Sequence, residues 1–503
     1  MAIPKYCGLE TEYGIALRGV ADPNPIAASA ILITAYLAAL TRDGGAAHGA
    51  PSVGWDFIDE TPGHDARGFA TTGSLPPEVE THMVNAVLTN GARYYVDHAH
   101  PELSTPECAD ARSAVVFDRA ADRILERSMR DADAVLPPGQ SIVVYKNNSD
   151  GKGNSYGCHE NYLMARDVAF NEIARFVTPH FVTRQIFCGA GKVGSEVGRS
   201  VDEVPFQVSQ RADFFEEEIG LETTLKRPIV NTRDEPHADP SKYRRLHVIV
   251  GDANMSETAT FLKVGTTMLL LCMIEDGVIP DRLTLRSPVP AIRAVSTDLT
   301  LRGTVELLDG TRITPLELQR ELHRLAVDWT DANGFDCVGG ATGADVLREW
   351  EFVLDGLERD PASVADRVDW VAKLRLVDGY RDRHGLPWDD ARLRALDLQY
   401  HDLRSERSLA ARVGLATIVD DDEIERAVTE PPTDTRAYFR GRCVDRFGDQ
   451  VVSANWDSIV FDVGSGSLRR VPMMEPGRGT AAHVASVLDG SSDAADLLDR
   501  LGS

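Results

Sequence analysis

Glu10 and Glu12 stand two residues apart in Gly8-Leu9-Glu10-Thr11-Glu12-Tyr13-Gly14, and Arg93, Tyr95 and Asp97 repeat that spacing in Arg93-Tyr94-Tyr95-Val96-Asp97. On an extended strand, side chains at i and i+2 project from one face. The first segment therefore presents paired carboxylates, and the second a guanidinium, a phenol and a carboxylate. If the two faces lie opposite each other, they form a cluster of hard oxygens with a cation beside it. Magnesium and its phosphates require that donor set. The same spacing also describes a solvated strand face, and the residues alone leave both readings open.

Further polar clusters add to the case. Asp97-His98-Ala99-His100-Pro101-Glu102 and Ser104-Thr105-Pro106-Glu107 crowd acids, imidazoles and two prolines together. Proline fixes φ and removes a donor, so carboxylates beside it can be held outside regular strand pairing. A third cluster, Ser155-Tyr156-Gly157-Cys158-His159-Glu160-Asn161, contains His159, and a fourth, Arg244-Arg245-Leu246-His247, contains His247. His247 lies in an apolar strand-like run, where a hydrogen-bonded core histidine is the plainer reading. Lys226, Arg227 and Arg233 add local positive charge of the kind a phosphate or acidic substrate needs. The glycine-rich Asn148–Gly153 lacks Walker A spacing, and no G-x-G-x-x-G follows a strand, so a nucleotide would have to be held by another fold. G-x-S-x-G and H-E-x-x-H are also absent, which removes the signatures of serine hydrolases and zincins.

The elements that must position these groups follow from periodicity. Strands are predicted over Lys5–Tyr13, Arg93–Asp97, Ser141–Lys146, Leu246–Val250, Val451–Ala454 and Ser458–Asp462. Helices are predicted over Pro25–Leu40, Asp110–Ala134 and Glu257–Asp276, with helical periodicity through 314–408 and a final helix. Strands interspersed with long helices, without regular βαβ spacing, give an α+β fold. Residues 41–80 are rich in Gly, Pro and Asp, and read as a functional loop or a tolerated surface insertion. The pattern breaks at Glu430-Pro431-Pro432, which places a domain boundary between 1–430 and a small C-terminal α/β unit, 431–503.

Composition bounds the rest. The chain has 503 residues, 43% hydrophobic and 26% charged, the balance of a globular protein of more than one domain. A formal charge of −25 argues against nucleic acid as a partner. The seven cysteines are scattered without a C-x-x-C pair, which suits reduced thiols in a cytoplasm. No signal peptide is apparent, and the most apolar stretch, Pro25–Leu40, falls short of the roughly 20 residues of a bilayer span. The expectation is a cytoplasmic enzyme with no membrane partner.

Taken together, Gly8–Gly14, Asn90–Asp97, Tyr156–Leu163, Arg245–Glu257 and Ala454-Asn455-Trp456-Asp457-Ser458 resemble the Pup ligase and Pup deamidase family over nearly the whole chain. That resemblance implies a glutamine synthetase-like catalytic fold, a curved antiparallel sheet packed with helices and carrying Mg-ATP, plus a small C-terminal domain. Within the family the chain is most similar to the deamidase (depupylase) branch, through the 41–80 insertion and the spacing of Asp97-His98-Ala99-His100-Pro101-Glu102. Lys5-Tyr6-Cys7 departs from the arginine and aliphatics usual in relatives.

By resemblance, Glu10, Tyr95 and Glu102 match the family's magnesium ligands, and Arg93, Thr105 and Trp456 its ATP contacts. Asp97 matches its catalytic aspartate, and Glu12, His159 and His247 match positions for further metal ions. The implied cofactors are ATP and Mg2+. The implied partners are Pup and pupylated proteins, with a functional link to the bacterial proteasome. The implied reactions are hydrolysis of the isopeptide bond between the C-terminal glutamate of Pup and a substrate lysine, and deamidation of a C-terminal glutamine of Pup. Rival readings are Pup ligation through a γ-glutamyl phosphate, a non-catalytic binder of Pup and ATP, and a small-molecule γ-glutamyl ligase. Arg227, Arg233, Arg244 and Arg245 are the expected basic groove for acidic Pup.

Overall fold

Alternation along Cys7–Glu12 sets the architecture: Cys7, Leu9 and Thr11 are buried, while Gly8, Glu10 and Glu12 are only partly covered. A strand with one apolar and one polar face must cover the first and can build a site on the second. The computed structural model describes residues 1–42, 53–58, 60–68, 83–224, 226–464 and 466–502. The expected 41–80 insertion therefore lies largely outside the described residues.

Ten strands form the central sheet: β1 (Cys7–Glu12), β2 (Gly54–Trp55), β3 (Asn85–Val87), β4 (Arg93–Asp97), β5 (His100–Ser104), β6 (Cys158–Ala165), β7 (Tyr243–Val248), β8 (Val451–Ala454), β9 (Ser458–Phe461) and β10 (Arg469–Pro472). Their order is β7-β6-β1-β5-β4-β3-β2-β8-β9-β10. All neighbours are antiparallel except β2 and β8, which run parallel with Ser453 beside Gly54 and Ala454 beside Trp55. The sheet is thus mixed where an antiparallel one was expected, and with its many helices the fold is α+β.

The apolar face packs on helices α1 (Pro25–Arg42), α2 (Ala111–Asp133), α3 (Phe170–Thr183) and α4 (Glu257–Glu275). Leu9, Tyr94, Val96 and Leu103 share one core with Leu32, Ile124, Val177 and Leu269. Helix α2 starts where the Asp110 carboxylate accepts from the Ser113 amide at 2.7 Å, an N-cap that satisfies one of the open donors of the first turn. Helix α4, rather than Pro25–Leu40, is the one helix among the described residues long and apolar enough for a bilayer span. Its apolar window is wholly buried inside the fold, so it presents no face to lipid.

Strand β5 was not expected, because Pro101 sits in its interior. Pro101 stands one residue beyond the end of β1, where its carbonyl accepts from the Tyr13 amide at 3.0 Å. The missing donor there breaks no ladder bond of β1, so the sheet tolerates it.

At the far end, β8 to β10 extend the same sheet. Val451, Ala454, Ile459 and Phe461 pack with helix α5 (Ala437–Phe447), through Phe439 and Val444. Val53, Trp55 and Val87 from the first part of the chain join that cluster. Arg436 and Arg440 reach back to Glu107, in a contact buried between the two parts of the chain.

Candidate active site

The register of the sheet places the polar side chains in neighbouring columns. Glu12 lies opposite Glu102, which lies opposite Tyr95, while Glu10 lies opposite His159 on its other side. Glu10, Glu12, Arg93, Tyr95 and Asp97 therefore share one face of one sheet, with β5 between β1 and β4. They lie side by side rather than on opposed faces. All five line a cavity of about 1870 Å³, together with Glu102, His159 and His247.

Two groups of side chains have the spacing a metal ion needs. The ligand atoms of Glu10, His159 and His247 lie within 4.8 Å of one another, and so do those of Glu12, Asp97 and Glu102. Asn161 braces the first group: its amide donates to Glu10 Oε1 at 2.8 Å, and its carbonyl stands 3.0 Å from His247 Nδ1. That contact assigns the proton to Nδ1 of His247 and leaves its Nε2 lone pair free, the usual second partner of a ligating imidazole. Tyr95 stands over the second group, its hydroxyl 3.4 Å from Ser104 Oγ.

The crowded acids push against one another. Burial, then the charges of Asp97, Glu12 and Glu10, raises Glu102 well above the ordinary carboxylate range. Burial also opposes ionisation of Asp97, but the hydrogen bond from His98 and the charges of His98, His159 and Arg93 outweigh it, so this carboxyl titrates below its ordinary value. Asp97 is thus ionised at neutral pH. Burial and the neighbouring Arg245 hold His247 well below the ordinary imidazole range, so its ring is neutral and able to bind a metal.

The hairpin between β4 and β5 presents Asp97 at its tip. Asp97 pairs with His100, and the two-residue reversal puts His98 at φ 51°, in the left-handed region. His98 Nδ1 lies 3.0 Å from Asp97 Oδ2. Non-glycine residues in that region are uncommon and cluster at working sites. His100 is fixed by its Nδ1 at 3.0 Å from the Tyr13 carbonyl and by stacking on Tyr156 at 4.3 Å between ring centroids. Gly157 leaves room opposite: a Cβ there would meet His159 Nε2 at 2.3 Å and Glu12 Oε1 at 2.9 Å and displace both side chains.

Arg93 is sandwiched between aromatic rings, its guanidinium 3.9 Å from the centroid of Tyr95 and 4.1 Å from that of Trp55. A second cavity of about 570 Å³ opens beside the first, lined by Tyr6, Gly8, Thr105, Arg436 and Trp456 among others. Glu10, His237, Arg245 and Trp456 line both, so the two cavities adjoin. Thr105 meets the smaller cavity with its hydroxyl already engaged, accepting from the Leu9 amide at 3.0 Å and donating to the Pro106 carbonyl at 3.1 Å. Gly8 is in an ordinary conformation, and a Cβ there would touch only Thr105, at 3.8 Å. Neither backbone nor packing demands glycine at this position, so what it leaves open is the room in the cavity.

Of the four arginines expected to form a basic groove, Arg227, Arg233 and Arg245 line the main cavity. Arg244 does not: it alternates to the other face of β7, 3.4 Å from Asp234 and over the Phe170 ring. Arg211, Glu235 and His237 had no signal in spacing, since each is held by a partner elsewhere in the chain, whereas Asn161 closed the third polar cluster without its bracing role being legible there. Arg211 is buried, donates to the Ile249 and Gly251 carbonyls and lines the cavity beside Arg227. From the insertion, Phe57, Glu60 and Pro62 reach the same cavity.

The family model described as Pup-ligase protein matches residues 5–460. The chain belongs to the Pup-ligase protein family. Among curated members, it is 51% identical to a depupylase of Acidothermus cellulolyticus, with 98% of both chains covered. It is 48% identical to the Pup deamidase/depupylase of Mycolicibacterium smegmatis, over 98% of this chain and 99% of that one. Among solved structures, the Pup ligase PafA in complex with ADP superposes with a TM-score of 0.73 at 36% identity, covering 80% of this chain and 89% of PafA. The match of the Pup-ligase family model includes every site residue described above, from Glu10 to Trp456.

Proposed function

We propose that this chain is a depupylase and Pup deamidase. It hydrolyses the isopeptide bond between the C-terminal glutamate side chain of Pup and a substrate lysine, and it deamidates a C-terminal glutamine of Pup, with Mg-ATP as a bound cofactor. The observation that carries this reading is Asp97, ionised at a hairpin tip and grouped with Glu12 and Glu102 in the lining of a large cavity. Relatives with depupylase names match it at 51% and 48% identity over 98% of the chain, whereas a Pup–protein ligase of Nocardioides matches at 41% over 81%, which supports removal of Pup over its attachment.

The nucleotide reading rests on donor chemistry. Arg233 Nε and Arg245 Nε and Nη2 are buried without a hydrogen bond among the described residues, and although Glu235 stands 3.6 Å from Arg245 Nη2, a bound anion would meet the remaining demand. The smaller cavity takes the base against Trp456, Arg233 and Arg245 face the phosphates, and Arg93 adds a fixed cation. Glu10, Glu12, Tyr95, Glu102, His159 and His247 would hold the metal ions. When bound, the metal ions would supply positive charge to stabilise the oxyanion that develops on the carbonyl. Asp97 delivers the attack on the side-chain carbonyl, directly or by activating water. Arg211 and Arg227 flank the same space as further cations. All seven cysteines are free thiols and six are buried, in keeping with a cytoplasmic enzyme.

The deciding experiment is a gel assay of a pupylated protein with and without Mg-nucleotide, which should show nucleotide-dependent release of Pup. Hydrolysis is downhill, so ADP with phosphate, or a non-hydrolysable ATP analogue, is expected to support cleavage. Formation of conjugates from glutamate-ended Pup, ATP and a lysine-bearing protein would instead establish the ligase reading. Gly8→Val tests the smaller cavity. Its side chain fits the backbone but fills the slot, so ADP affinity should fall more than about tenfold, with unfolding shifted by less than about 1 kcal/mol. Unchanged ADP binding would remove the nucleotide from that cavity.

A further inference from the structure

We propose that His237 reads the sugar of the bound nucleotide and makes the site selective for ribonucleotides. The inference rests on the nucleotide reading above. Its starting point is an outlier: His237 has φ 46°, a left-handed conformation that glycine adopts freely and a side chain opposes. Such a residue persists where its surroundings over-determine it, and its side chain needs a reason to be there.

The surroundings supply the first half. Arg436 Nη1 donates to the His237 carbonyl at 2.6 Å, while Arg436 Nε is itself held by Glu107 at 2.6 Å. Two residues on, the Asp239 amide donates to the Met474 carbonyl at 3.0 Å. The turn is thus clamped from the C-terminal part of the chain.

Position supplies the second half. His237 lines both cavities, at their join, with Arg245 and Trp456. A nucleotide with its base in the smaller cavity and its phosphates toward Arg233 and Arg245 places its sugar at that join. The ring is 18% exposed there, and Glu235, at 3.8 Å from Nε2, is too distant for a hydrogen bond. Burial lowers the affinity of the ring for a proton, Glu235 raises it, and Arg245 and Arg436 lower it again; the balance falls to about 4, so the ring is neutral. A neutral imidazole has one donor and one acceptor, which match a sugar hydroxyl that both donates and accepts. A phosphate would call for a cation, and a base for an apolar or stacking wall. A site built around a hydroxyl rejects the analogue that lacks it, because its polar group is then left unpaired.

The test is calorimetric titration of the full-length protein with ADP, 2′-deoxy-ADP and 3′-deoxy-ADP, in the wild type, H237G and H237N. The wild type should prefer ADP to at least one deoxy analogue by roughly tenfold. H237G suits the backbone, so it should fold, lose roughly that factor for ADP and bind the three nucleotides alike. H237N tolerates the left-handed conformation and keeps a donor and an acceptor, so it should recover part of the preference. A wild type without preference, an H237G that retains it, or one weakened equally toward all three would overturn the assignment. Cleavage of a Pup conjugate by the same preparations reports separately. ADP preference without cleavage would retain the sugar assignment and reject the depupylase reading.

Discussion

Asp97→Asn is expected to lower Pup-conjugate cleavage at least about a thousandfold while leaving ADP affinity within about threefold of wild type. The substitution keeps the shape of the side chain and removes its charge. An amide neither attacks a carbonyl well nor takes a proton from water, so either role of Asp97 is lost. In the proposed arrangement the nucleotide is gripped elsewhere, by the cavity around Gly8 and Trp456 and by Arg233 and Arg245, none of which touches the hairpin tip through a described hydrogen bond. Single-turnover cleavage and ADP titration on one preparation separate the two effects. Residual turnover near that of the wild type would show that another group carries the chemistry. In the wild type, a covalent Pup–enzyme adduct trapped on Asp97 would assign direct attack, and its absence at full turnover would assign activation of water.

The second large effect is on stability. Glu107→Ala is expected to destabilise the protein by about 3–5 kcal/mol, because it strands two buried guanidiniums. Glu107 accepts from Arg436 Nε at 2.6 Å and from Arg440 Nη1 at 3.2 Å, with a further shorter contact to Arg440 Nη2. Burial works against its ionisation, but Arg440 and Arg436 hold its carboxyl at about 2. Its folded-state value lies below that of an unfolded glutamate, so its contribution is present above about pH 4.3 and is lost as pH falls toward about 2. Over that window the linkage amounts to about 3 kcal/mol. Denaturant unfolding of wild type and variant between pH 7 and pH 3 checks this. The wild-type advantage should shrink in acid, and a constant difference would place the effect elsewhere.

The legible part of the site was the part written at short range. The i, i+2 spacing of Glu10 with Glu12, and of Arg93, Tyr95 and Asp97, fixes which side chains share a face before any fold is known. The same rule, applied to β7, would have separated Arg244 from Arg245 and His247. Strand β5 was hidden because Pro101 argues against a strand interior, and only the early end of β1 makes its missing donor harmless. Arg211 and His237 were not legible, since each is placed by carbonyls or guanidiniums distant in sequence. The parallel pairing of β2 with β8 was equally out of reach: β2 spans two residues, too few for any periodicity, and its partner lies some four hundred residues onward.

That pairing also sets an order of events during synthesis. The carboxylates on β1, β4 and β5 are made and can associate early, through contacts close in sequence. Trp456, Arg436 and the strand that joins Gly54 to Ser453 leave the ribosome near the end of this chain. Contacts between segments so far apart form late, because the intervening chain must first be gathered. A nascent chain, or one cut short before Trp456, would carry the proposed attacking group without the wall proposed to seat its nucleotide. Activity is therefore withheld until Trp456 and its neighbours have been made, and a product cut short before them has chemistry it cannot use.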